Sequence, residues 1–142
     1  MTGYPGEDPE IMLEEIDPTE CASLLAATRY GRIAVVDGGR PIIVVLNHLV
    51  LRGSVLFRVG EDNHLAELTD GYAVHACYEV DSAFPVGRSG WSVIADGILE
   101  READTDLVTA ARQQIAAWAG GHRDTVLRLR VDQLTGRRAG PA

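Results

Sequence analysis

Arg58 and His64 are the residues whose types and spacing point most directly to chemistry. Around them the chain reads Val55-Leu56-Phe57-Arg58-Val59-Gly60, then Glu61-Asp62-Asn63-His64, then Leu65-Ala66-Glu67-Leu68. The β-branched and aromatic run predicts a strand, and Gly60 breaks it. Leu65 and Leu68 are three apart, as on one face of a helix. A strand, a polar turn and a helix start bring free backbone N–H groups to one point, which suits an anion. Arg58 and His64 can both add positive charge there. An ordinary strand-to-helix connection, with Arg58 solvated and His64 on the surface, has the same pattern.

Other chemistry is poorly supported. His48, His64, His75 and His122 invite a metal, but only His75 lies close to a cysteine, Cys77, and one such pair does not make a site. There is no Gly-x-Ser-x-Gly elbow and no Cys/His pair with a plausible third member. Asp96 and Glu100 share a strand face, yet four residues of strand separate them by ~13 Å, too far for paired carboxylate work. Arg128 and Arg130 share a face of the last strand. They either meet an anion or a partner chain, or form a solvated face whose ion pairs contribute little. No residue stands out as an obligatory acid, base or nucleophile.

The elements that must position these groups belong to a chain of 142 residues, enough for one domain with a real core. It is 46% hydrophobic and 24% charged, an ordinary globular balance. A net charge of −8 argues against nucleic acid and anionic membranes as partners. Cys21 and Cys77 form no disulfide framework and read as small buried residues. The acidic N-terminus is no signal peptide, and no apolar run approaches the ~20 residues of a membrane span. A soluble, cytoplasmic protein is expected.

Residues 1–10 read as a loose N-terminal arm. Asp17-Pro18-Thr19-Glu20 is a helix start, and that helix runs to about Ala27. A strand from Arg32 to Val36 turns at Asp37-Gly38-Gly39. The run from Pro41 to Leu51 is so apolar that both its faces are expected to be covered. Strands follow at Val55–Val59, Ala73–Val80, Trp91 to about Glu102, and Thr125–Leu134. Gly97 is expected to mark a bend or bulge. Helices are expected at Asn63–Thr69 and at Thr105–Ala117, the latter capped by Asp104 and stopped by Gly120-Gly121. Residues 81–90 read as a loop and Gly136–Ala139 as a basic tail. The expected fold is mainly β with helices: a six-stranded antiparallel barrel in one domain over residues 11–142.

Three stretches carry a family resemblance. They are Gly31–Pro41 with the apolar strand ending near Asn47, then Leu56-Phe57-Arg58 through His64-Leu65, and Gly87–Val93 followed by Gly97 and the late Thr135-Gly136-Arg137-Arg138. Their order and spacing over residues 13–138 resemble the pyridoxamine 5′-phosphate oxidase-like family of flavin-binding split β-barrels. The resemblance implies a homodimer with flavin mononucleotide (FMN) in the cleft between subunits. It places the flavin ring against Val44-Val45-Leu46-Asn47, whose backbone can bond the ring's polar edge. Arg58, following Phe57, and the position of His64 would hold the phosphate, with Asp62 and Asn63 offering N–H groups or a side chain. Trp91 and Ser92 would line the cleft. Trp118 would pack either at the dimer seam or in the core, and His48 would face the ring or sit hydrogen-bonded in the core.

The sequence departs from the family pattern where the phosphate would lie. The usual lysine is His64, mostly neutral at pH 7 with a reference pKa of about 6.5. Glu61 and Asp62 add negative charge, and a like-charge contact at ~4 Å costs roughly 1–4 kcal/mol. Asp62 would spare the site if it capped the helix instead. In this family the flavin carries the chemistry, so the expected activity is an FMN-dependent oxidoreductase of unknown substrate. Too few basic residues are present for a second phosphate, which argues against oxidation of a vitamin phosphate. The alternative is a non-catalytic split-barrel protein that has lost FMN, or one that binds a deazaflavin or haem.

Overall fold

In the computed structural model, which describes residues 11–82, 89–116 and 124–141, the chain runs β1 (Ile11–Glu15), α1 (Pro18–Ala27), β2 (Tyr30–Asp37), β3 (Arg40–Leu51), β4 (Ser54–Gly60), α2 (His64–Leu68), β5 (Val74–Asp81), β6 (Gly90–Arg101), α3 (Thr105–Gln114) and β7 (Asp124–Pro141). All pairings are antiparallel. The order β7-β4-β3-β2-β5-β6 closes on itself through β6–β7 pairing, so six strands make the barrel. This is the expected mainly-β barrel with three helices.

The local signals explain most of the elements. Asp17 accepts from the Thr19 N–H and Pro18 takes the first turn of α1. Asp104 accepts from the N–H groups of Asp106 and Leu107 at the start of α3, and such caps are worth about 1 kcal/mol each. β2 and β3 meet at Gly38-Gly39, both at positive φ, as a two-residue hairpin requires. Gly97 sits at a β-bulge: the β6–β7 register shifts between Asp96 and Gly97. A Cβ there would lie 2.0 Å from the Arg130 carbonyl oxygen, so only glycine admits that strand crossing.

Three expectations need correction. β1 is a seventh strand, added along the end of β7. β7 runs to Pro141, so Gly136–Ala139 is not a tail but the ladder that holds β1, with Glu14 opposite Arg138 and Glu15 opposite Arg137. Helix α3 ends at Gln114, before Ala117. The arm at 1–10, most of the loop at 81–90, Trp118, the Gly120-Gly121 stop and His122 lie outside the described residues.

The barrel is filled by Ile33, Val35, Phe57, Tyr78, Val93, Leu99, Leu127 and Leu129 among others. A second apolar layer, Leu56, Leu107, Ala111, Ile115 and Val126, seats α3 against the outside of β4 and β7. Full burial of such side chains contributes roughly 1.5–3 kcal/mol each. The Pro41–Leu51 run is covered unevenly. Leu49 and Leu51 pack under α3 and Ile42 and Val44 on the barrel core. Ile43 and Val45, however, are 69% and 50% exposed in the single chain. Val36 on β2 and Ile94 on β6, 67% and 42% exposed, lie on the same outer face, Ile94 beyond the Arg32–Glu79 ion pair. Among the described residues no helix is long and apolar enough to cross a membrane.

Gly97→Ala should force β6 and β7 apart and lower stability by about 1–3 kcal/mol or more, read as a drop in the midpoint of urea unfolding.

Candidate functional site

β3 forks away from β4. Its pairing with β2 is continuous, from Asp37–Arg40 to Tyr30–Asn47. Its pairing with β4 covers only His48–Phe57 to Leu51–Ser54. Over residues 40–47 β3 therefore has a partner strand on one edge alone. The N–H of His48 points to the β2 side, donating to the Arg29 carbonyl at 2.9 Å. Backbone groups of an antiparallel ladder alternate in direction, so the N–H groups of Val45 and Asn47 turn to the other side, into the fork. Val44 and Leu46 point their side chains to the core, while Val45 is open and Asn47 half-buried. Asn47 lines a cavity of about 380 Å³ with Thr28, Arg29, His48 and Gln114.

Across the fork lie Arg58 and the turn into α2. The Arg58 guanidinium is engaged: its Nη1 donates to the carbonyls of Arg112 at 3.0 Å and Ile115 at 2.8 Å. It thus caps the C-terminal end of α3, where unpaired carbonyls and the helix dipole favour a cation. Asn63, not Asp62, caps α2, its side chain accepting from the Leu65 N–H at 2.8 Å. His64 places Nε2 2.8 Å from Asp37 Oδ2 and Nδ1 3.5 Å from Glu67 Oε2. It ties α2 to the end of β2. Glu61 is drawn the other way, to Arg101 at 3.5 Å and to the Thr125 hydroxyl. The Phe57 ring is fully buried, edge-on to Tyr78, and its backbone is paired with His48 of β3 on one side and Leu127 of β7 on the other. Arg58 and His64 thus serve different parts of the fold.

Trp91 and Ser92 lie on β6, beyond β2 and β5. Three strand spacings of ~4.8 Å put them roughly 14 Å from β3 along the sheet. They line a separate cavity of about 470 Å³ with Leu13, Arg32 and Arg137. One chain therefore brings the expected site residues together in two groups.

Behind the fork is a polar chain that sequence reasoning missed in part. His48 is buried and hydrogen-bonded, the core alternative of the two expected. Its Nε2 is 2.9 Å from the Leu25 carbonyl oxygen and its Nδ1 2.6 Å from the Tyr78 hydroxyl, which also donates to the Leu46 carbonyl at 3.1 Å. Burial pushes the His48 pKa below the usual value and the Tyr78 pKa well above it, so both are neutral at pH 7. The ring of Tyr78 fits because residue 31 is glycine: a Cβ there would sit 2.7 Å from Tyr78 Cζ and 2.3 Å from the Glu79 carbonyl oxygen. On the open face, His75 and Cys77 both contact Asp96, at 2.5 and 3.5 Å.

The model of the pyridoxamine 5′-phosphate oxidase family matches residues 17–138. The chain belongs to this family. An uncharacterized protein of Mycobacterium tuberculosis is 30% identical over 125 residues, 86% of this chain and 82% of that protein. Among solved structures, an FAD-binding protein from Mycobacterium smegmatis is 28% identical, with a TM-score of 0.72 over 88% of this chain and 98% of the other. An FAD-binding protein from Mesorhizobium loti shares the fold at 22% identity, with a TM-score of 0.76 over 92% and 98% of the two chains. This member of the pyridoxamine 5′-phosphate oxidase family has the split barrel of its neighbours, and the fork in β3 is the split.

Because the folded state disfavours a proton on His48, stability should be fully present above pH ~6.5 and decline as pH falls below it, the unfolded chain then binding the extra proton. Urea midpoints at pH 5 and pH 7.5 measure this, and His48→Leu should flatten that part of the profile.

Proposed function

We propose that this chain binds a flavin, FMN, along the open edge of β3 and works as a homodimeric flavin-dependent oxidoreductase. The observation that carries the reading is the fork. Over Val44–Asn47 an extended, fixed strand offers backbone N–H and C=O groups with no second strand to take them. Their alternation suits the donors and acceptors on the polar edge of a flavin ring. Val45 supplies an apolar surface beside that edge. The phosphate end fits less well, because Arg58 is engaged with α3. His64 and the turn at Asn63 remain on that side. A bound flavin supplies electron and hydride transfer; the chain supplies position, apolar cover and backbone hydrogen bonds.

The same geometry supports a dimer. The exposed apolar residues Val36, Ile43, Val45 and Ile94 share one face with the edge of β3, and a second copy would cover them. It would also bring its Trp91 and Ser92 to a ligand that the first copy's β3 cannot share with its own. Apolar burial at about 25 cal/mol per Å² rewards that closure. The flavin-binding activity of the Mycobacterium smegmatis neighbour at 28% identity supports the cofactor class. The engaged Arg58 favours the rival reading, a non-catalytic binding protein that has given up FMN.

Titration of the purified protein with FMN, FAD, a deazaflavin and haem tests the choice. FMN should bind best and give a yellow protein absorbing near ~450 nm, a flavin property; a protein that takes up none of the flavins belongs to the rival class. His64→Lys should tighten FMN about tenfold, since a fixed positive charge near phosphate is worth roughly 1–2 kcal/mol. Ile43→Asp should yield a monomer by sedimentation velocity and weaken FMN binding with it.

A further inference from the structure

The polar chain behind β3 ends on the peptide that faces the fork. Nε2 of His48 faces the Leu25 carbonyl at 2.9 Å and the Thr28 hydroxyl at 3.4 Å, and that hydroxyl gives its own proton to the same carbonyl, so Nε2 carries the imidazole proton and Nδ1 is a lone-pair acceptor. Tyr78 has one hydroxyl proton and two acceptors for it: His48 Nδ1 at 2.6 Å and the Leu46 carbonyl at 3.1 Å. Leu46 C=O and Asn47 N–H belong to the same trans peptide and point in opposite directions. The carbonyl lies toward Tyr78, and the N–H opens into the fork. A hydrogen bond to a peptide carbonyl polarises the group and makes its N–H a stronger donor.

We infer that Tyr78 and His48 are positioning residues for the ligand edge, the hydroxyl proton they share setting how strongly the Asn47 N–H is offered to a bound flavin ring. This rests on the reading that a flavin lies against β3. The two residues act in opposite directions. Tyr78 strengthens the donor by bonding Leu46, and His48 weakens it by drawing the same proton away. Thr28 holds the Leu25 carbonyl independently, its hydroxyl donating at 2.9 Å. Removing the imidazole therefore leaves that oxygen with a partner. Phe57 packs edge-on against Tyr78 and Gly31 leaves space for its ring, so the aromatic ring stays in place when the hydroxyl is removed.

Tyr78→Phe and His48→Leu make the test. Both replace a buried polar group and both should cost stability, so a purely structural role would weaken FMN binding in each. Positioning gives opposite signs: Tyr78→Phe should raise the FMN dissociation constant about threefold, and His48→Leu should lower it about twofold. The visible band of bound FMN should move in opposite directions in the two variants. In ligand-free protein the Asn47 amide proton, read by NMR, should shift upfield in Tyr78→Phe and downfield in His48→Leu. Same-direction or absent changes at that amide overturn the inference. A wild type that takes up no FMN overturns the flavin reading instead, and the amide shifts then decide the positioning role by themselves.

Discussion

A strand that loses its neighbour halfway along must find other company for its backbone. β3 leaves β4 after the His48–Phe57 pair, and much of the molecule answers that departure. On the inner side, Tyr78 reaches over Gly31 of β2 to the Leu46 carbonyl and His48 ties Tyr78 to the end of α1. On the far bank, α2 and Arg58 are fixed separately, the helix through His64 to Asp37 and the arginine through the last carbonyls of α3. The gap is thus held open from both sides. A fully zipped barrel would need none of these polar braces, and a buried tyrosine–histidine pair is an expensive way to fill a core unless every lone pair and proton is placed.

The charges near the fork are arranged in the same sense. Glu61, which would repel an anion, is turned to Arg101 and Thr125. Arg101 in turn donates to the Ala66 carbonyl at 2.7 Å, at the end of α2. Arg128 on β7 answers Glu100 of the neighbouring β6 at 2.5 Å and Glu102, just past the end of β6, at 3.5 Å. These acids are therefore paired locally, while the chain as a whole keeps its net charge of −8.

Sequence reasoning read what is encoded by neighbours a few residues apart. The Asp17-Pro18 and Asp104 starts and the Gly38-Gly39 turn are each decided by sterics or caps within one turn of chain, and the Gly97 bulge showed as a glycine inside a strand although its steric partner, Arg130, lies on β7. β1 and the end of β7 escaped because their propensities are poor: Glu14, Glu15, Gly136 and Gly140 are weak strand formers, and only the cross-strand pairing of Glu14 and Glu15 with Arg138 and Arg137 makes strands of them. At the site, the motif order was legible but the partners were not. Arg58 meets carbonyls more than fifty positions later, and His48 meets Tyr78 thirty positions away. Tyr78, a hydroxyl-bearing ring between Ala76 and Val80 on the buried face of β5, was the available sign.

β1 and β7 give the molecule a mechanical character. Ile11 lies opposite Pro141 at the very end of their antiparallel ladder, so the two described ends of the chain emerge side by side. A load applied there peels the ladder one rung at a time instead of shearing all its rungs at once. Because Arg137, Arg138 and Ala139 of β7 are also paired with Ser92, Trp91 and Gly90 of β6, the barrel shares that force from the first rungs onward.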